Sequence, residues 1–318
     1  MDSRKKIMKP LIVTLGSCNI DFVIKLARFP LPGETVKAID VKYYAGGKGA
    51  NQAVAVARLG GQSVFLGKLG NDEYGHLLYS FLEREGIDMS RVKIEHGVPT
   101  GMAIVCVLEK TGENQILYIP GANNMIDINY IRANIDIIKN ADILLLQLEI
   151  PVNIIQAVIS MLKNSDHPVI FLDPAPAENL TGVPLARVDV ITPNQQELFL
   201  LTGSNDLVQG AQKLLAQGVK MVLCKRGEKG AVLFTHDGKT VYTPAFPVPV
   251  VDTTAAGDAF NAAFAVALGE GKSIEEAVIF ANAAGAVTVT REGAQPSLPM
   301  RVEVEQLMKK HAPKWQGS

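Results

Sequence analysis

Short unbroken apolar runs alternate along the chain with stretches whose apolar residues recur every three or four positions. "LIVTL" (11–15), "ADILLLQLE" (141–149), "PVIFLDPAP" (168–176), "VDVITPN" (188–194) and "KMVLCKRG" (220–227) read as strands covered on both faces. Between and around them, "ANQAVAVARLG" (50–60), "YGHLLYSFLEREG" (74–86), "NIIQAVISMLKNS" (153–165) and "DLVQGAQKLLAQG" (206–218) have helical periodicity. The first of these stops at Gly60–Gly61, as a helix C-terminus should. "QSVFLGKLG" (62–70) reads as one more strand, and "SIEEAVIFANAAGAV" (273–287) as a helix opened by a Ser273/Glu276 capping box. The alternation predicts an α/β fold: a doubly wound, mostly parallel central sheet flanked by helices.

Two regions break the alternation. Residues 20–46 and 98–121 carry half-exposed strand patterns, such as "GMAIVCVLE" and "NQILYIPG", with no helix between them. They predict a small antiparallel β sheet grafted on the main body as a lid. "LFTHDGKTVYTPAF" predicts a hairpin turning at Asp237–Gly238. No repeat, low-complexity run or long linker divides residues 1–318, so one domain is expected.

Composition narrows the function classes. With 318 residues, 47% of them hydrophobic, the chain can bury a large core. Its 31 basic and 32 acidic residues leave a net charge of −1, without the basic excess of a nucleic-acid binder. Cys18, Cys106 and Cys224 lie in strand-like apolar contexts and include no CxxC, so reduced thiols of a cytoplasmic protein are expected. The N-terminal "MDSRKKIMKPLIVTLGS" is basic, then apolar, but the apolar run is too short for a secretion signal or a membrane span.

Three features point to chemistry. In "VDTTAAGDAFNAAF" (251–264), Ala255, Ala256 and Gly257 precede Asp258 at the mouth of an apolar helix. A helix N-terminus offers free N–H groups and partial positive charge, and small residues let a phosphate approach them. An acid beside that anion needs another task, and removing a proton from an attacking hydroxyl is one that fits. The same residues read equally well as a favourable first-turn charge beside closely packed alanines. In "AGGKGANQAV" (45–54), Gly46, Gly47 and Gly49 bare the backbone, while Lys48, Asn51 and Gln52 bring polar groups to a helix start. Gln52 stands where a dinucleotide fingerprint needs its third glycine, and Gly49 follows Lys48 where a P-loop needs Ser or Thr. Finally, Asn19, Asp21, Glu149, Asp173, Asn194 and Glu197 all follow strands, the edge where open α/β sheets bind ligands. Together they suit a polyhydroxylated ligand.

"GSCNID", "AGGKGANQAV", "IPGANN", "LQLE", "DPAPA", "TPNQQE", "DTTAAGDAFNAAF" and "TREGAQPS" occur in the order found in the ribokinase-like carbohydrate kinases, and from residue 11 to about 300 the chain resembles that family. The resemblance implies ATP-dependent phosphorylation of D-ribose at its 5-hydroxyl. It implies Asp258 as general base and the Ala255–Asp258 backbone as anion hole. Asn19, Asp21, Gly47, Lys48, Gly49, Ala50, Asn51 and Glu149 match sugar-binding positions. Asn194, Glu197, Lys225, Arg226, Gly227, Glu228, Lys229, Gly230, Gly257 and Asn282 match positions for ATP and its Mg²⁺. Asp252, Thr254, Thr288, Arg291, Gly293 and Ser297 match a K⁺ loop that orders the anion hole from a distance, and the lid sheets imply a homodimer.

Two positions depart from the pattern: Lys225–Arg226 stand where Thr–Leu is frequent, and Cys18 where an aliphatic residue is common. Asn19 favours ribose over 2-deoxyribose, since an unpartnered buried polar group costs roughly 1–3 kcal/mol. The alternatives are a kinase of the same family acting on 2-deoxyribose, fructose or a nucleoside, an NAD-dependent dehydrogenase, and a catalytically silent sugar-binding regulator.

Overall fold

The structure is a computed structural model and describes residues 9–178 and 180–311. The basic N-terminal stretch ahead of Lys9 lies outside the described residues. Strand β1 (Leu11–Leu15) enters the main sheet, and β2 (Asn19–Leu26) and β3 (Asp40–Gly46) leave it. Helix α1 (Lys48–Leu59) returns to β4 (Gln62–Leu66), followed by β5 (Lys68–Gly70), α2 (Glu73–Arg84) and β6 (Lys93–Glu95). β7 (Gly101–Leu108) and β8 (Asn114–Ile119) form a second excursion. Then come α3 (Ile128–Ala133), α4 (Ile135–Asn140), β9 (Ile143–Gln147), α5 (Val152–Met161), β10 (Val169–Asp173) and β11 (Val190–Ile191). α6 (Gln195–Thr202), α7 (Leu207–Ala216), β12 (Met221–Lys225), β13 (Ala231–Thr235) and β14 (Thr240–Thr243) complete the sheet. α8 (Ala256–Gly269), α9 (Ile274–Thr288) and α10 (Arg301–His311) close the chain.

The main sheet has eight strands in the order β14-β13-β12-β11-β10-β9-β1-β4. The pairs from β4 through β12 are parallel, and β13 is antiparallel to both neighbours. Strand alternation sorts side chains onto opposite faces. Ile12, Leu145, Phe171 and Leu223 join the apolar cluster under α1, α8 and α9. Val13, Leu144, Leu146, Ile170 and Leu172 join the cluster under α3, α5 and α7. After β1 the chain moves outward to β4, and later crosses to β9 on the other side. That reversal opens a crevice beyond the carboxyl ends of β1 and β9.

The second sheet has the order β3-β2-β7-β8. Its outer pairs are antiparallel as the pattern predicts, but the central β2–β7 pair is parallel, with Asn19 opposite Gly101. The two hairpins belong to distant chain segments, so their mutual orientation has no local signal. "QSVFLGKLG" forms two strands instead of one. The Gly67 N–H donates to the Tyr130 hydroxyl at 2.9 Å, which takes that residue out of the ladder, and β5 pairs with β6. Among the described residues no helix is long and apolar enough to cross a membrane.

α8 carries the candidate acid, and packing sets its position. Its alanines allow close approach to α9 and α1. Phe264 on α8 meets Phe171 on β10, with ring centroids 5.7 Å apart. Phe264→Ala is expected to destabilise the fold by about 3–5 kcal/mol, measured by equilibrium unfolding in urea. A loss below 1 kcal/mol would show that this contact does not anchor α8.

Candidate functional site

The site lies at the carboxyl edge of the main sheet, where α1 and α8 begin. Ala255 is the N-terminal cap of α8 with φ 59° and ψ 4°, and it is the one non-glycine among the described residues with positive φ. A left-handed alanine costs about 1–2 kcal/mol. Such strain is tolerated where surrounding structure imposes it, and it occurs often at functional sites. The turn aims the first N–H groups of α8 out of the helix end, where Ala255, Ala256, Gly257 and Asp258 line a cavity of about 640 Å³.

Asp258 is buried, and its two carboxylate oxygens are held separately. Asn51 donates to Oδ2 at 2.9 Å, and Gln52 donates to Oδ1 at 3.1 Å. Gln52 Nε2 also reaches Asp173 Oδ2 at 3.1 Å, while Gln147 donates to Gln52 Oε1 at 2.6 Å. The same Gln52 amide therefore spans two buried acids. Burial lifts Asp258 to about 6; Asp173 adds to the rise, and Lys48, Asn51 and Gln52 oppose it. The group is consequently a far better proton acceptor than an ordinary aspartate, and it still ionises near neutrality.

Close to Asp258 stand two further acids, Asp21 and Glu149. Burial lifts Asp21 to about 7, with Glu149 and Asp258 contributing. Glu149 Oε2 accepts from Ser17 Oγ at 2.5 Å and from the Lys48 N–H at 3.0 Å. Asn123 donates to Asn19 Oδ1 at 2.7 Å and orients that amide. Burial works against the Lys48 charge, but Asp258, Asp173, Glu149 and Glu197 outweigh it and hold the ammonium above the usual lysine range. The Asn51 Oδ1 atom is buried with no hydrogen-bond partner. That orphaned acceptor is explained if a ligand hydroxyl binds there.

Gly47, at φ 87°, caps α1, and a Cβ there would stand 2.8 Å from the Asn19 nitrogen. Only glycine permits this approach of two backbones. The Gly49 and Ala50 amides donate to Ser17 Oγ and the Ser17 carbonyl, so they tie α1 to the end of β1. The sequence pattern places Asn51 at the helix start. It lies instead one turn inside α1, because the helix begins at Lys48.

The larger cavity extends from Asp258 past the ends of β10, β11 and β12. Asn194 and Glu197 form a capping box at the start of α6, and both line the wall. Burial raises the Glu197 carboxyl, and Lys225 opposes that rise. Lys225, Gly227, Glu228, Gly230 and Asn282 also face the cavity, together with an apolar strip including Phe246, Val248 and Val289. Asn282 Nδ2 is held by the Thr243 and Pro244 carbonyls. Arg226 lines an adjoining recess beside Phe199, and Lys229 is exposed.

The third group of residues lies next to the 255–258 turn. Asp252 accepts from the Thr254 N–H and hydroxyl at 2.9 and 2.7 Å, and from the Gly293 N–H at 2.9 Å. Thr288 and Ser297 are buried, with hydroxyls on the Ala284 and Ala294 carbonyls. Arg291 pairs with Glu303, turning its charge away from the loop. Among the described residues no cluster of three or more His, Cys, Asp or Glu side chains has metal-holding geometry. Burial pushes the Cys18 thiol well above its ordinary range and Cys224 up to about 12, which leaves both unreactive.

A family model described as pfkB family carbohydrate kinase matches residues 9–301. The chain belongs to the pfkB family of carbohydrate kinases. It is a sugar kinase. It is 38% identical over 301 residues to the ribokinase of Haemophilus influenzae, covering 93% of this chain and 97% of the relative. Its fold is similar to that of Thermotoga maritima ribokinase, at TM-score 0.85 and 43% identity, over 94% of this chain and 99% of the other. It is also similar to an Arabidopsis thaliana ribokinase solved with ribose and ATP, at TM-score 0.87 and 38% identity, over 95% and 99%.

Within this pfkB kinase, the sequence pattern does not mark the supports of the site: Gln147, which holds Gln52, Ser17, which holds Glu149, and Asn123, which holds Asn19. It noted Gln52 only as polar. Three of these supports are themselves buried amides on separate elements, and nothing in their spacing marks them. Gln52→Leu removes a hydrogen bond that favours the charged form of Asp258 and leaves Asp173 unshielded beside it. Both effects raise the acid's pKa. If Asp258 must be ionised for turnover, the acid limb of the rate–pH profile is expected to move to higher pH, and a rise of about one unit from about 6 would roughly halve the rate at pH 7. An unmoved limb would show that Gln52 does not tune the acid.

Proposed function

We propose that this sugar kinase transfers the γ-phosphoryl group of ATP to the 5-hydroxyl of D-ribose, giving D-ribose 5-phosphate and ADP. The observation that carries this reading is the place of Asp258. At the positive end of α8, it stands close to Asp21 and Glu149 and also lines the cavity of about 640 Å³ that reaches Asn194, Lys225 and Asn282. Asp21, Asn19, Lys48, Asn51 and Glu149 offer hydrogen bonds to the sugar hydroxyls. Asn194, the 225–230 loop and Asn282 hold the nucleotide. Asp258 takes the proton of the 5-hydroxyl as its oxygen attacks phosphorus, and the amides of the 255–258 turn receive the charge on the transferring group.

Mg²⁺ suits the oxygen donors on this wall: Glu197 would hold it together with phosphate oxygens. When bound, it supplies charge neutralisation on the β- and γ-phosphates. For K⁺, the 252–297 loops present carboxylate, hydroxyl and carbonyl oxygens, the hard donor set an alkali cation takes. Asp252 stays ionised despite burial because Thr254 and Gly293 donate to it. Its contact with Thr254 places the loop one residue from the strained Ala255, so a cation there would act through the shape of the turn.

The small sheet acts as a lid that limits water near the transferring group. Val41, Tyr43, Ile116 and Leu117 are exposed on it, and we assign that apolar surface to a homodimer formed by two lids. The three free cysteines fit a cytoplasmic protein.

Initial rates of ADP release with D-ribose, 2-deoxyribose, fructose and a nucleoside test the substrate directly. Ribose is expected to give the highest kcat/KM; a tenfold preference for another acceptor overturns the assignment. Asp258→Asn is expected to lower kcat by roughly 10²–10⁴. Because the base works only when ionised, and burial raises its pKa, kcat/KM should fall as pH drops through about 6. Protonation of Asp21 near 7 starts the decline earlier. A flat profile from pH 5 to 8 excludes Asp258 as the base. Exchange of K⁺ for Na⁺ is expected to slow the enzyme without displacing nucleotide; equal rates remove the cation from the mechanism.

A further inference from the structure

Lys225 ends β12, and its side chain, 14% exposed, crosses toward the mouth of α8. Its Nζ lies 3.1 Å from Asp173 Oδ1. A Cβ built on Gly257 would stand 3.5 Å from the same nitrogen. The ammonium therefore sits beside the anion turn itself, nearer the reacting end of the cavity than its place in the nucleotide loop implies. Asp173 does not serve Lys225 alone, because Oδ2 of that carboxylate is held by Gln52.

The charge balance of the cavity gives this position meaning. Asp173, Glu197 and Asp258 all face the space the transferring phosphoryl group must enter. A helix N-terminus contributes only about half an elementary charge. Lys48 is engaged electrostatically with four acids. Lys225 is the cation whose reach includes the anion turn, and Asp173 holds it there without closing all three of its donors.

We propose that Lys225 is a catalytic residue, parked on Asp173 and drawn onto a non-bridging oxygen of the transferring phosphoryl group. This rests on the kinase reading above. During the step a bond forms between the sugar oxygen and phosphorus, and the bond from phosphorus to the β–γ bridging oxygen breaks. The hydroxyl proton goes to Asp258 and ADP leaves. Lys225 exchanges no proton in the step and stabilises charge that peaks at mid-transfer. Its contribution is therefore larger in the transition state than in the ATP complex.

Calorimetric titration of the full chain with ADP, and with ADP plus aluminium fluoride in the presence of sugar, separates those two states. Wild type is expected to bind the aluminium fluoride complex much more tightly than ADP. In Lys225→Met that ratio should fall by roughly 10²–10³, in step with kcat, while ADP affinity and sugar KM change less than about fivefold. Lys225→Arg should recover part of the ratio. Asp173→Asn breaks the same ion pair but keeps the ammonium, and it should keep the ratio. If Lys225→Met and Asp173→Asn lose it equally, the pair is structural and the proposal fails. An unchanged ratio in Lys225→Met, or equal weakening of both ligands, also overturns it. If ribose is not the acceptor, the same titrations run with the preferred sugar still read Lys225, so the two ideas fail separately.

Discussion

A carboxylate kept from water yet not neutralised is the constraint around which this kinase is arranged. Burial alone would drive Asp258 toward its protonated form. Full pairing with a cation would hold it ionised, with little tendency to take a proton. Asn51 and Gln52 give it a middle course, since neutral amides stabilise the charged form without cancelling it. Lys48 adds a shared positive charge nearby. The resulting affinity for a proton is raised to about 6, well above that of an ordinary aspartate.

That arrangement requires two helix starts to meet. Asn51 and Gln52 are carried by α1, and Asp258 by α8, and each helix begins with an unusual backbone residue. Gly47 lets α1 approach the end of β1, and Ala255 turns the chain sharply into α8. The Phe171–Phe264 contact and the alanine-lined interface with α9 hold α8 in place from below. Further acids then share hydrogen bonds across the sheet edge: Asp173 with the Gln52 amide and the Lys225 ammonium, Glu149 with the Ser17 hydroxyl and the Lys48 backbone N–H. Asp173 and Gln52 both act on the proton affinity of Asp258, so altering either changes it.

Much of this was legible in the chain. The apolar runs at 141–149, 168–176 and 220–227 gave β9, β10 and β12, because a doubly covered strand leaves no polar side to confuse the pattern. The Ser273/Glu276 capping box and the Asp237–Gly238 hairpin are local devices, and local sequence decides them. The acid and its small-residue turn were visible for the same reason. The parallel β2–β7 pairing, the break at Gly67 and the short β6 were not visible. Each depends on a partner far along the chain, such as the Tyr130 hydroxyl that takes the Gly67 N–H.

By itself, then, the order of residues determined the element types, the wound α/β class, the family and the chemistry available at each strand end, since all of these follow from neighbours within a few positions. Only the tertiary structure decided which groups meet: that Gln52 spans two acids, that Gln147 steadies it, and that Lys225 reaches the 255–258 turn. Proton affinity and charge stabilisation vary over a few ångströms and with the exclusion of water. Those distances are set where helices and strands from remote parts of the chain pack against one another.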